Sequence, residues 1–240
     1  MFELQTLGVV GLRASGEEVS TATIVQPKRL AILVFLALAP RRRLRRRDQL
    51  LGLFWPELDD LHGRGALSQA LKYLRKALGP GVIVTQGEEE VGVDGSRIQC
   101  DAAAVREAFE SGNLDVALAR YTGAFLAGFH VGEASAEYDE WVAGERSQLA
   151  QLAATAARRL ADRAEQQDDL AAAASWAREA ARVSPDDERA VAKLIQVLDR
   201  SGDRAGALRA YETLRKRLRD EFGVSPSRET EGLVTAIRGR

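Results

Sequence analysis

The spacing of apolar residues changes along the chain, and each change marks an element. Phe2, Leu4, Leu7, Val9 and Leu12 fall in a stretch broken by Gly8, Gly11 and Gly16, the pattern of short strands joined by tight turns. Val19 to Val25 reads as a further strand. From Pro27 the period lengthens: Leu30, Leu33, Val34 and Leu38 recur at helical spacing until Pro40 stops them. Asp48 is a fair N-cap for a second helix over Gln49 to Trp55, with Leu50, Leu51, Phe54 and Trp55 as its apolar stripe and Pro56 as its breaker. A polar loop from Glu57 to Gly63 leads to a third helix, Gly65 to Leu78, in which Leu67, Ala70, Leu71, Leu74, Ala77 and Leu78 share a face. Gly79 and Pro80 end it. Val82 to Thr85 and Glu90 to Val93 then read as a hairpin around Gln86 and Gly87.

Beyond Asp101 the chain is helical and repetitive. Ser111 to Tyr121 reads SGNLDVALARY and Ser201 to Tyr211 reads SGDRAGALRAY, with Ser, Gly, Ala, Leu and Tyr in common. Asp169, Ala173, Ala174 and Ala177 precede Asp203, Ala207, Leu208 and Tyr211 by 34 residues, the period of tetratricopeptide helix-turn-helix units. Tyr138 to Gln167, Ala190 to Leu198 and Ser227 to Ile237 read as further helices. Stacked helix pairs leave a concave surface suited to a peptide or another subunit. The aromatic residues Tyr121, Phe125, Phe129, Tyr138, Trp141, Trp176 and Tyr211 are read as core rather than as the lining of such a surface.

Composition fits a folded chain of two modest domains: 240 residues, 45% hydrophobic and 29% charged. Cys100 is the single cysteine, so an internal disulfide is excluded and a reducing compartment, the cytoplasm, is expected. No basic, then apolar leader opens the chain and no run of 18 apolar residues occurs, so neither export nor a membrane is expected. The net charge of −1 hides a division, because residues 1–100 carry 14 Lys and Arg against 11 Asp and Glu, and residues 101–240 carry 20 against 24. A basic domain over 1–100 and an acidic helical one over 101–240 are therefore expected.

Strands, three helices and a trailing hairpin are the order of a winged helix-turn-helix, in which the third helix enters a major groove. With its leucines inward, that helix turns Arg64, Ser68, Gln69, Lys72, Arg75 and Lys76 outward. Gln suits adenine edges, Lys and Arg suit guanine, and Ser suits base or phosphate. Just before the second helix stand Arg41, Arg42, Arg43, Arg45, Arg46 and Arg47, where guanidinium groups would pair with backbone phosphates and supply affinity without sequence choice. Neutralising roughly five phosphates would give log K a slope of about −4.5 against log salt. Glu88, Glu89 and Glu90 at the hairpin would repel phosphate.

RRRDQLLGLFWPE (Arg45 to Glu57), ALSQALKYLRKALG (Ala66 to Gly79), YTGAFLAGF (Tyr121 to Phe129), EWVAGER (Glu140 to Arg146), SPDDERA (Ser184 to Ala190) and SGDRAGALRAYETLRKRLRDEFGVSPSRET (Ser201 to Thr230) cover both halves of the chain. In combination they resemble the Streptomyces antibiotic regulatory proteins and related regulators carrying a bacterial transcriptional activator domain. The resemblance implies an α+β winged helix of the response-regulator effector type followed by an all-α tetratricopeptide-like domain. It implies a transcriptional regulator, usually an activator, that binds double-stranded promoter DNA at direct repeats and contacts RNA polymerase; the helical repeats are expected to serve dimerisation or partner binding. By that resemblance Arg64, Ser68, Gln69, Lys72 and Arg75 face DNA, and the Trp55 to Gly63 loop is a candidate polymerase contact. The family's usual glycine-tyrosine pair in the wing is replaced by EEEVGVD, Glu88 to Asp94. The rival reading is a protein-interaction scaffold whose winged helix binds protein.

Catalysis has no support. His62 and His130 lie outside any metal-ligand spacing, Cys100 has no neighbouring histidine, and the carboxylate pairs sit at turns and helix starts, where they cap amides. No GxxxxGK[ST] string occurs, so nucleotide-driven switching is not expected either. Neither a metal nor a cofactor is expected.

Overall fold

The computed structural model describes residues 1–14, 17–18, 26–39 and 44–239, which form two compact units. One gathers residues 1–107 with 120–149, and the other 108–119 with 150–240. The strand expected over Val19 to Val25 and the stop at Pro40 lie outside the described residues.

In the first unit β1 (Phe2–Gln5), β2 (Gly11–Ala14), β3 (Glu17–Glu18) and β7 (Ile98–Cys100) form a sheet ordered β3-β2-β1-β7. β2 returns antiparallel on β1 with Leu4 opposite Leu12, whereas β7 lies parallel to β1 with Phe2 opposite Ile98. Parallel neighbours need a crossover, and here the crossover is the whole helix-turn-helix and its wing. It comprises α1 (Pro27–Ala37), β4 (Arg45–Arg46), α2 (Arg47–Phe54), α3 (Asp60–Leu78), β5 (Ile83–Gln86) and β6 (Glu90–Val93). α1 is its hub: Ala31 to Leu36 are all buried, and Phe35 sets its ring edge-on to Phe54 and Trp141.

Two expected boundaries move, each at the start of a helix. α2 begins at Arg47 rather than Gln49, so Asp48 is not its cap; it sits in the first turn, where a carboxylate suits the positive helix end. α3 begins at Asp60 rather than Gly65, because the Asp59 carboxylate accepts the His62 N–H at 3.0 Å and caps a turn that the glycines had disguised. The loop expected from Trp55 to Gly63 therefore shrinks to residues 55–59. Gly79, at φ +79°, ends α3 in a conformation that costs a side chain dearly.

A second layer of contacts closes this unit. The Asp101 carboxylate, at the start of α4 (Asp101–Glu110), accepts the backbone N–H of Thr6 at 2.9 Å, that of Leu7 at 3.0 Å and the Thr6 hydroxyl at 2.5 Å. The segment after α5 (Leu114–Arg120) then runs back along the end of β1, with Leu7 bridging Phe125 and the Leu126 N–H donating to the Thr6 carbonyl at 2.8 Å. Gly123 permits this approach, since a Cβ there would lie 2.7 Å from the Gly8 Cα. Arg146, early in α6 (Ala136–Gln166), donates to the carbonyls of Phe125 and Leu126 at 2.7 and 2.8 Å. The YTGAFLAGF and EWVAGER strings thus act together, one as a strap and the other as its clasp.

The second unit is a stack of helical hairpins: the latter part of α6, then α7 (Leu170–Val183), α8 (Glu188–Arg200), α9 (Arg204–Arg217), a π-helical turn (Leu218–Phe222) and α10 (Arg228–Arg238). The sequence repeat has a definite backbone meaning. Gly112, Asp168 and Gly202 all take positive φ, and the following N–H groups of Asn113, Asp169 and Asp203 reach back to the carbonyls of Ala108, Ala164 and Leu198 at 2.8 to 2.9 Å. Each is a Schellman turn. At two of the three the residue after the turn also caps the next helix: Asp169 accepts from the Ala172 N–H at 2.9 Å and Asp203 from the Gly206 N–H at 2.8 Å. Small residues at Ala161, Ala164, Ala173, Ala177 and Ala207 let the helices approach, and Ile195, Leu198, Tyr211, Leu214, Val234 and Ile237 fill the core between them. Of the seven aromatic residues read as core, Tyr121, Phe125, Tyr138 and Tyr211 are buried, and Phe129, Trp141 and Trp176 are half-buried. The architecture is a winged helix-turn-helix of α+β type followed by an all-α tetratricopeptide-like repeat.

Candidate nucleic-acid interface

α3 is a two-faced helix. Gly63, Leu67, Ala70, Leu71, Leu74 and Leu78 are buried, while Arg64, Ser68, Gln69, Lys72, Arg75 and Lys76 are all exposed. The exposed set forms one contiguous surface of hydrogen-bonding and cationic groups. Burial of the leucine row fixes which way it points, because rotating the helix to hide it would put the leucines in water.

The arginine run behaves differently. Arg41, Arg42 and Arg43 lie outside the described residues. Arg45 and Arg46 form β4, which pairs antiparallel with β6 so that Arg45 stands opposite Val91 and Arg46 opposite Glu90. The hairpin β5-β6 thereby gains a third strand, in the sheet order β4-β6-β5. Arg46 is exposed and pairs with Asp48 at 3.2 Å. Arg45 is half-buried, with its guanidinium 4.4 Å over the Phe35 ring and its Nε enclosed without a hydrogen-bond partner among the described residues. Burial lowers its pKa from the usual arginine value, an effect that the Glu145 charge partly offsets. Arg47 is half-buried as well; its Nε is enclosed without a hydrogen-bond partner among the described residues, and its backbone N–H donates to the Glu89 carbonyl at 2.8 Å. The start of α2 is thus stitched to the wing turn, whose Gly87, Glu88 and Glu89 are exposed. Only Arg46, among the described arginines of the run, presents its side chain as the α3 residues do.

Sequence reasoning missed a second cationic cluster at the edge of α3. Tyr73 is 39% exposed, one turn from Gln69, and the Arg29 guanidinium carbon lies over its ring, 3.8 Å from the centroid. Beside them a groove of about 460 Å³ separates Pro27, Lys28 and Arg29 of α1 from Ala66 and Gln69 of α3, with Trp55 and Glu133 on its walls. Lys28 sits 5.3 Å over the Trp55 ring and 4.0 Å from the Glu133 carboxylate. Arg29 and Tyr73 are 44 positions apart, and no local pattern joins them.

The contacts of His62 and Cys100 lie apart from the α3 face. His62 holds its Nδ1 2.7 Å from Asp59, whose carboxyl is kept below its ordinary value by the His62 backbone N–H and then by the imidazole. Cys100 is buried, and that burial pushes its thiol up to about 11, far from a thiolate at neutral pH. Among the described residues no group of His, Cys, Asp and Glu could hold a metal ion, and no helix is long and apolar enough to cross a membrane.

The model of the bacterial transcriptional activator domain matches residues 90–238. The chain belongs to that family. It is a family of transcriptional regulators rather than of enzymes. No curated protein matches the chain in sequence. Among solved structures it is similar to Mycobacterium tuberculosis EmbR in complex with a low-affinity phosphopeptide, with a TM-score of 0.68 at 19% identity. That likeness is one of fold; it covers 99% of this chain, which spans 65% of the EmbR chain. In this member of the bacterial transcriptional activator domain family the matched region takes in β6 of the wing, the strap at 121–129 and all of the helical hairpins.

Proposed function

We propose that this member of the bacterial transcriptional activator domain family is a sequence-specific regulator that reads promoter DNA through the outward face of α3. The carrying observation is the exposure of Arg64, Ser68, Gln69, Lys72, Arg75 and Lys76 together, opposite a buried leucine row. In this reading Gln69, Lys72 and Ser68 meet base edges, with Arg64, Arg75 and Lys76 at their borders. The Arg41–Arg47 run supplies phosphate contacts through its exposed members, while Arg45 braces the wing sheet against Phe35. The acidic turn at Glu88 and Glu89 stays off the duplex.

The functional division falls near residue 100: residues 1–100 engage DNA, and the repeats in 101–240 serve dimerisation or a partner, RNA polymerase among the candidates. Residues 55–59, with Leu58 exposed, are the candidate polymerase contact, and direct repeats the expected site arrangement. The protein works in the cytoplasm, without catalysis. The test is selection of bound fragments from the source genome, followed by salt titration on a selected and an unselected fragment. A regulator prefers the selected fragments and weakens steeply on both as salt rises. A scaffold enriches no fragment and shows no salt slope.

A further inference from the structure

The groove beside α3 borders the proposed reading face, and the two cations on its α1 side, Lys28 and Arg29, belong to neither of the cationic regions visible in the sequence. Gln69 belongs to it and to the proposed reading face at once, so a duplex lying along that face passes over the groove. At its rim the half-buried Arg29 guanidinium lies over the exposed Tyr73 ring, 3.8 Å from its centroid, and a guanidinium held by its face on a ring keeps N–H donors for an anion. Lys28 adds a second cation, drawn 5.3 Å over Trp55. Among the described residues lining the groove the one carboxylate, Glu133, is 84% exposed at its side chain and lies 4.0 Å from Lys28, so it swings clear without breaking a close pair.

We propose that this groove seats a phosphodiester of the DNA strand flanking the bases read by α3, with Arg29, held over the Tyr73 ring, as its principal anion-binding group. The inference rests on the reading of α3 as a DNA-binding helix and adds a backbone contact on its α1 side. Such a contact tightens binding to every sequence and selects none. Arginine is suited to it because a planar fork can stack through its face and still grip two phosphate oxygens through its edge. Tyr73 is therefore a positioning residue, and its ring rather than its hydroxyl does the positioning.

The test uses the full chain, a mixed-sequence duplex and a genomically selected fragment, with affinities followed across salt. Arg29→Ala is expected to weaken binding to both duplexes alike, about tenfold at low salt, and to make the salt slope shallower by about 0.9. Tyr73→Ala is expected to move both readings the same way by less, and Tyr73→Phe to leave both unchanged. The inference is overturned if Arg29→Ala keeps the parent affinity and slope, or if its loss is confined to the selected fragment, which would make Arg29 a base contact. In either case Gln69 and Lys72 would still govern fragment preference, so the reading of α3 survives. Failure of the unaltered chain to bind either duplex sinks both readings together.

Discussion

Two cationic regions of equal prominence in the sequence meet opposite fates in the fold. The α3 face keeps its charges in water because the leucines behind it hold the helix in one rotation. The arginine run is denser, yet Arg45 is drawn over Phe35, Arg47 loses its Nε to the interior, and only Arg46 among those described stays on the surface. Charge density along a chain therefore says how many cations are near one another, while amphipathic spacing says which of them can reach a partner. A β-strand explains the difference: pairing Arg45 and Arg46 with Val91 and Glu90 turns alternate side chains to opposite sides, which a solvated loop would not do.

The contrast can be broken first at its base. Leu71→Ala should destabilise the protein by about 2–5 kcal/mol, since the side chain is fully buried, whereas its neighbour Lys72→Ala should change stability by no more than about 0.5 kcal/mol. Urea unfolding of the two variants gives both numbers. Equal losses would mean that α3 is not rotated as described.

A smaller effect separates Arg45 from Arg46. Arg45→Ala should cost about 1 kcal/mol through its lost stack on Phe35, while Arg45→Met, which keeps an apolar stem and removes a half-buried charge, should recover most of that. Arg46→Ala should leave unfolding unchanged and make the salt dependence of DNA binding shallower by about 0.9. If Arg45→Met matched Arg46→Ala in salt dependence, the two arginines would not differ in role.

Helices were legible because burial writes a 3.6-residue period into sequence, and α1, α3 and the repeat helices carry it plainly. β4 was not, because two arginines bear no strand signature and their partners in β6, Val91 and Glu90, lie 46 and 44 positions away. The first turn of α3 hid behind Gly63 and Gly65, although Asp59 three positions before His62 was a cap signal in plain view. Arg64 to Lys76 could be found as one face from spacing alone, whereas the Arg29–Tyr73 stack exists only once α1 and α3 are packed. The strap at 121–129 was recognisable as a family string, but its work against β1 depends on contacts more than 100 positions apart, such as Thr122 on Leu7.

The smallest expected effect concerns the cap of α3. Asp59 has its carboxyl below the ordinary value in the folded chain, so its contribution is present above its unfolded pKa and is lost as pH falls through the folded one. Asp59→Asn should flatten the acid limb of a melting-temperature profile over that range and leave the neutral limb nearly unchanged, because Asn also caps. An unchanged acid limb would remove Asp59 from the account of why α3 starts where it does.

The central claim is tested most directly by the ratio of affinities for a selected and an unselected genomic fragment, measured for the unaltered protein and for Gln69→Ala with Lys72→Ala. The account predicts that the ratio falls to near one in the double variant while its unfolding curve stays that of the parent. A double variant that folds normally and keeps the parent's ratio would contradict it.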